Sequence, residues 1–157
     1  MTTTQPSPAI RRLLPTAVGA GAAAQLLMLI GTYLWTPWRE FGPGGWALDT
    51  DGKSLGELLL IVGFAVAGAA VVFAVVVPWA LRREPERTAV LALVVAIVAV
   101  VSVAAFWTGL PVILASGAVV LARDARHRLG RLPASAVVAI VLAAATGLIA
   151  IAIAFTG

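Results

Sequence analysis

The chain has 157 residues, 61% of them apolar and only 11% charged, with a net charge of +4. Soluble domains carry roughly 25% charged and 45–50% apolar residues, so a water-soluble fold of this length is excluded and lipid is the expected solvent. The isoelectric point is about 11.1 and the mean hydropathy +1.03. The bases cluster beside apolar runs, which fits membrane topology and anionic headgroups, and nucleic acid is not an expected partner. There is no cysteine, which removes disulfides, thiol catalysis and thiolate metal sites. Ten of the eleven basic residues are Arg, and with so much Ala and Val the composition suggests a high-GC bacterial genome.

Residues 1–12 read as a cytoplasmic tail, with Met1 to Pro8 polar and Arg11 and Arg12 closing it. The apolar run 13–35 that follows is the first expected transmembrane helix. Two bases before an apolar run also describe a signal peptide, but the usual core is only about 7–15 residues long. No convincing cleavage site follows, because the next residues include Tyr33, Trp35 and Trp38.

Residues 36–54 form the expected outer loop. Pro37, Pro43, Gly44 and Gly45 rule out a regular helix through its first half. Asp49, Asp51, Gly52 and Glu57 faintly echo a calcium loop. The Gly and Glu spacing differs from that of an EF-hand, and Lys53 would set a cation among the ligands. Asp-Gly turn chemistry, followed by Ser54 and Glu57 as a capping box for the helix 55–81, accounts for the same residues. No metal or cofactor is expected.

After the short charged turn 82–87 comes the stretch that organises the chain, Thr88 to Ala122, without one charge. As one straight helix it would run about 52 Å at 1.5 Å per residue, against a hydrocarbon core of about 30 Å. Trp107-Thr108-Gly109-Leu110-Pro111 supplies turn residues at its middle. The run is therefore expected to divide into helices 88–106 and 110–126. The second is short, and is a full crossing if Arg123 and Arg126 snorkel, or a re-entrant segment otherwise. A basic segment, 123–131, leads to the last helix, 135–155.

Charge decides between four and five crossings. With five and an inner N-terminus, nine of the eleven bases lie inside, leaving Arg39 and Lys53 outside. With a single crossing of 88–122 the split becomes five inside and six outside, which the positive-inside rule disfavours. The expected fold is all-α: a polytopic integral membrane protein whose five-helix bundle spans 13–157, N-terminus cytoplasmic and C-terminus outside, in the cell membrane. The aromatics agree: Tyr33, Trp35, Trp38, Phe41, Trp46, Phe106, Trp107 and Phe155 fall at the outer boundary and Trp79 at the inner one.

No ionisable group lies near the middle of any expected helix, which counts against a proton- or ion-coupled transporter acting alone. Gln25, Ser102, Ser116 and Thr146 are the polar residues there, candidates for contacts between helices or back to their own backbone. Arg123, Arg126, Arg128 and Arg131 are candidates for anionic-lipid contact. His127, the only histidine, lies among them and reads as a solvated residue. Gly19 with Ala23, Ala17 with Gly21, Gly63 with Ala67, and Ala143 with Gly147 form small-xxx-small pairs suited to close helix packing.

No nucleophile-base pair, phosphate loop or metal spacing is present, so no catalytic residue is assigned. A lipid-directed enzyme would have to draw on Glu40, Asp49, Asp51 or Glu57. The expected role is a non-enzymatic accessory or scaffold subunit packed against another membrane protein or a second copy. The alternative is an oligomeric channel or carrier for an uncharged or lipidic solute.

Overall fold

A computed structural model describes residues 8–33 and 54–156 of the chain. Residues 1–7, almost all of the expected outer loop and Gly157 lie outside the described residues, as do Asp49, Asp51 and four of the expected outer aromatics. Among the described residues the regular structure is entirely helical and forms five helices: α1 (Pro8–Tyr33), α2 (Leu55–Leu81), α3 (Pro85–Thr108), α4 (Leu110–Leu129) and α5 (Ala134–Thr156).

The helix α1 begins at Pro8, five residues before the expected boundary. The apolar run starts only after Arg12, whereas the helix starts where a proline suits its first turn. The helix α2 opens with the capping box. The Glu57 amide donates to Ser54 Oγ at 3.3 Å and the Ser54 amide to Glu57 Oε2 at 2.7 Å. Near its far end Pro78 removes one amide donor and crowds the carbonyl four residues back. The turn before it, Val72–Val76, loosens to π-helical geometry, with the Val77 amide bonded to the Val72 carbonyl.

The organising stretch divides at Gly109, whose φ of 71° ends α3 and opens α4. The last seven residues of α3, Ser102–Thr108, tighten into a 3₁₀ turn with Ala105 out of helical geometry at φ −121°, ψ 44°. Two hydroxyls favour this: Ser102 Oγ donates to the Ala99 carbonyl and Thr108 Oγ1 to the Ala105 carbonyl, both at 2.7 Å. Thr108 Oγ1 also accepts from the Leu110 amide at 3.3 Å, tying the hairpin to the start of α4. At the far end Gly130, φ 65°, closes α4 before Pro133 leads into α5.

The core is built mostly from alanine. Ala89, Ala92, Ala96 and Ala99 of α3, Ala115, Ala118, Ala122 and Ala125 of α4, and Ala136, Ala139 and Ala143 of α5 are all buried. Each row steps by three, four and three residues, or by three and four, the spacing that keeps a seam on one helix face. Alanine at these positions lets the three backbones approach closely. The helix α4 is the most enclosed, touching all four others, with α1 and α2 on its remaining sides.

Three helices, α2, α3 and α5, are long and apolar enough to cross a membrane at 27, 24 and 22 residues, against about 20 required. Their most apolar stretches are only 22%, 28% and 28% buried, so most of that apolar surface faces outward. The N-terminal half of α2 is the barest part, with Leu55, Leu59, Leu60 and Phe64 all exposed.

Candidate functional site

The features that bring chemistry together lie at one end of the bundle, where α2 turns into α3 and α4 ends. The α2–α3 turn closes through amide bonds from Arg82 to the Trp79 carbonyl at 3.3 Å and from Arg83 to the Ala80 carbonyl at 3.0 Å. Thr88, wholly buried on α3, places Oγ1 3.1 Å from both the Ala80 and the Glu84 carbonyl. From the other side Arg128 of α4 reaches in: its Nη1 donates to the Leu81 carbonyl at 3.2 Å and the Arg83 carbonyl at 2.9 Å. Of the six carbonyls from Trp79 to Glu84, all but that of Arg82 thus find donors. The cation that closes α2 also sits favourably against the negative end of that helix.

Arg128 is held by Asp124, one turn earlier on α4, with Nη1 and Oδ2 3.4 Å apart. Asp124 is 2% exposed and is the only charged residue among the described residues that is buried. A carboxylate in such a place requires a paired cation, and the i, i+4 spacing supplies it. This pair was not anticipated from sequence, where Asp124 counted only as one charge in a basic run. The signal was an acid directly after an apolar stretch with an arginine four residues on.

On the outside of the same turn Arg83 stacks over Trp79, its guanidinium carbon 4.7 Å from the ring centroid. Trp79 is 48% exposed, and Arg82 and Arg83 have no carboxylate partner among the described residues. Glu84 is turned to Arg87 at 3.4 Å, and Glu86 lies in the first turn of α3, where the helix dipole favours an acid. Between Arg82 and Arg131, seven arginines against three carboxylates gather at this end, with Glu57 at the opposite end.

The four expected lipid-contact arginines therefore differ in their surroundings. All four are exposed, but Arg128 alone is turned onto Asp124 and the carbonyls of Leu81 and Arg83. His127 is exposed beside them. The four mid-helix polar residues do not come together. Ser102 and Ser116 both donate to carbonyls of their own helices, Ala99 and Val112. Thr146 is 2% exposed and occupies the next step of the α5 alanine row.

Gln25, partly buried, lies against the hairpin. Its Cδ and Nε2 are 2.9 Å from where a Cβ on Gly109 would stand. Of the small-residue pairs, Gly21 lies against Ser116 and Phe73 and Ala143 is buried, whereas Gly19, Gly63 and Gly147 face open space. An open apolar groove of about 750 Å³ runs along the N-terminal half of α2, lined by Gly56, Leu59, Leu60, Gly63, Phe64 and Thr108.

No protein-family model, curated protein or solved structure matches the chain. Among the described residues no group of three His, Cys, Asp or Glu converges as metal ligands would.

Proposed function

We propose that this chain is a small non-enzymatic integral membrane protein, an accessory or scaffold subunit that packs against another membrane protein or a second copy of itself. It crosses the bacterial cell membrane five times, with its N-terminus in the cytoplasm and its C-terminus outside. The hairpin at Gly109 supports five crossings, because it returns α4 to the end where the α2–α3 turn lies. That collects the arginines on one side, in keeping with the positive-inside rule.

The observation that carries the subunit role is the contrast within α2. Its inner half is packed, with Val72, Phe73, Val77 and Ala80 buried. Its outer half presents Gly56 and Gly63 beside Leu59, Leu60 and Phe64 along an open groove, and a Cβ on Gly63 would meet nothing. Small residues flanked by larger ones let a foreign transmembrane helix approach closely.

A photo-reactive residue introduced at Gly63 tests this in native membranes, followed by mass spectrometry of the adducts. The expected product joins the chain to a second membrane protein or to another copy. Adducts to lipid alone, with the same probe at exposed Val138 giving an identical pattern, would refute the subunit role.

A further inference from the structure

We propose that the α2–α3 turn is a binding site for the phosphate of an anionic membrane lipid, with Arg82 and Arg83 as its donors and Trp79 as its platform. This rests on the reading above that the arginine-rich end of the bundle lies at a membrane surface. Three features set the turn apart from general surface charge. Its backbone is held from two sides, by the buried Thr88 hydroxyl of α3 and by the Arg128 guanidinium of α4. The exposed Arg82 and Arg83 are thus carried on a backbone that is already held, which limits the ordering of the turn that binding requires.

The second feature is the stacking of Arg83 on Trp79 at 4.7 Å. With one face covered by the indole, the guanidinium keeps its in-plane N–H groups free, and these match two oxygens of a phosphate. A half-exposed tryptophan at a helix end also suits the level where headgroups meet acyl chains. The third is the disposition of nearby acids: Glu84 is turned to Arg87, and Asp124 is buried against Arg128. Arg82 and Arg83 are left with uncompensated charge beside the surface where anionic phosphates are concentrated.

The same turn distinguishes the arginines that the sequence groups together. Arg128 is a positioning residue, since it holds the carbonyls of Leu81 and Arg83 and thereby the turn. Arg123 and Arg126 lie on the exposed side of α4, with no aromatic platform and no clamped turn among the described residues.

The test uses the full chain reconstituted in phosphatidylcholine nanodiscs containing phosphatidylglycerol, with spin-labelled phosphatidylglycerol reporting the lipid held at the protein. The expected result is a preference over phosphatidylcholine that falls by about fivefold per base removed in R82Q and R83Q, and falls again in W79L. R123Q/R126Q should keep the preference of the native chain. R82K/R83K, which keeps the charge but loses the planar fork, should fall between the native chain and the double glutamine variant. Thermal midpoints equal to that of the native chain establish that the variants are folded.

An unchanged preference in R82Q/R83Q overturns the site, as does an equal loss in R123Q/R126Q, which would mark diffuse surface charge. Displacement of the lipid by inorganic phosphate at low concentration overturns the lipid assignment. A chain that remains soluble without detergent overturns the membrane reading itself, whereas an embedded chain with no preference overturns the site alone.

Discussion

Gly109 meets two demands that no other residue type satisfies together. Its φ of 71° is strained for any side chain by about 1–2 kcal/mol, and a Cβ there would stand 2.9 Å from the Gln25 amide. G109A should therefore lower stability by about 2–3 kcal/mol, measured as the unfolding midpoint in mild detergent. Q25A should restore the steric part of that loss and leave the backbone part. At the other end, R128A leaves the Asp124 carboxylate buried without its cation. A fully buried broken pair costs about 3–5 kcal/mol. Because Arg128 is 32% exposed at its side chain, a loss of about 2 kcal/mol is expected. D124N should cost less than R128A, and the double variant less than the sum, since the two act as one unit. Sequence alone singled out the turn at Gly109, because Gly and Pro punctuate an otherwise uninterrupted apolar run. It did not single out Asp124 or Thr88, because burial of a side chain near a helix end depends on which neighbour covers it.

At the scale of the helix, the alanine rows are the feature most open to measurement. Ala96 and Ala118 are each 0% exposed within the α3–α4–α5 core, where added methylenes have no space. A96L or A118L should cost about 3 kcal/mol or more in stability, while V94L, on an exposed position of the same helix, should stay within about 0.5 kcal/mol. Thermal unfolding of the three variants side by side separates them. The existence of these helices was legible from apolar length, as was the start of α2 from Ser54 and Glu57. The face each helix buries was less so. Small-xxx-small pairs point to Gly19, Gly63 and Gly147, which face open space, whereas the longer three-four steps of alanine mark the buried faces. In a chain so rich in Ala, isolated pairs arise by chance. A spacing sustained over three turns on three helices does not. The π turn and the 3₁₀ turn were also not anticipated, since both arise from backbone competition around Pro78, Ser102 and Thr108.

Across the whole molecule, the arginines and the hairpin together define two unlike ends. The absence of native cysteine makes single-cysteine labelling clean. Cysteines at 82 and 131 should react with an impermeant reagent from the cytoplasmic side only, and one at 107 from the outside only. Reaction of 82 and 131 from opposite sides would refute the five-crossing topology. The division of the long uncharged stretch was legible from a length argument, and the common end of the bases from counting charges. What counting does not reveal is that one of those arginines is turned inward and holds the neighbouring helix in place.

Under the proposed five-crossing reading, the enclosure of α4 has a consequence for how the chain enters the membrane during synthesis. The helix that the other four surround is also the one carrying Arg123, Asp124, Arg126 and Arg128, so it is the least able to partition into lipid unaided. It must wait for a companion, and the tight hairpin hands it α3. On that reading α3 and α4, made in succession, are expected to insert as a pair, with the most enclosed helix of the finished protein arriving late.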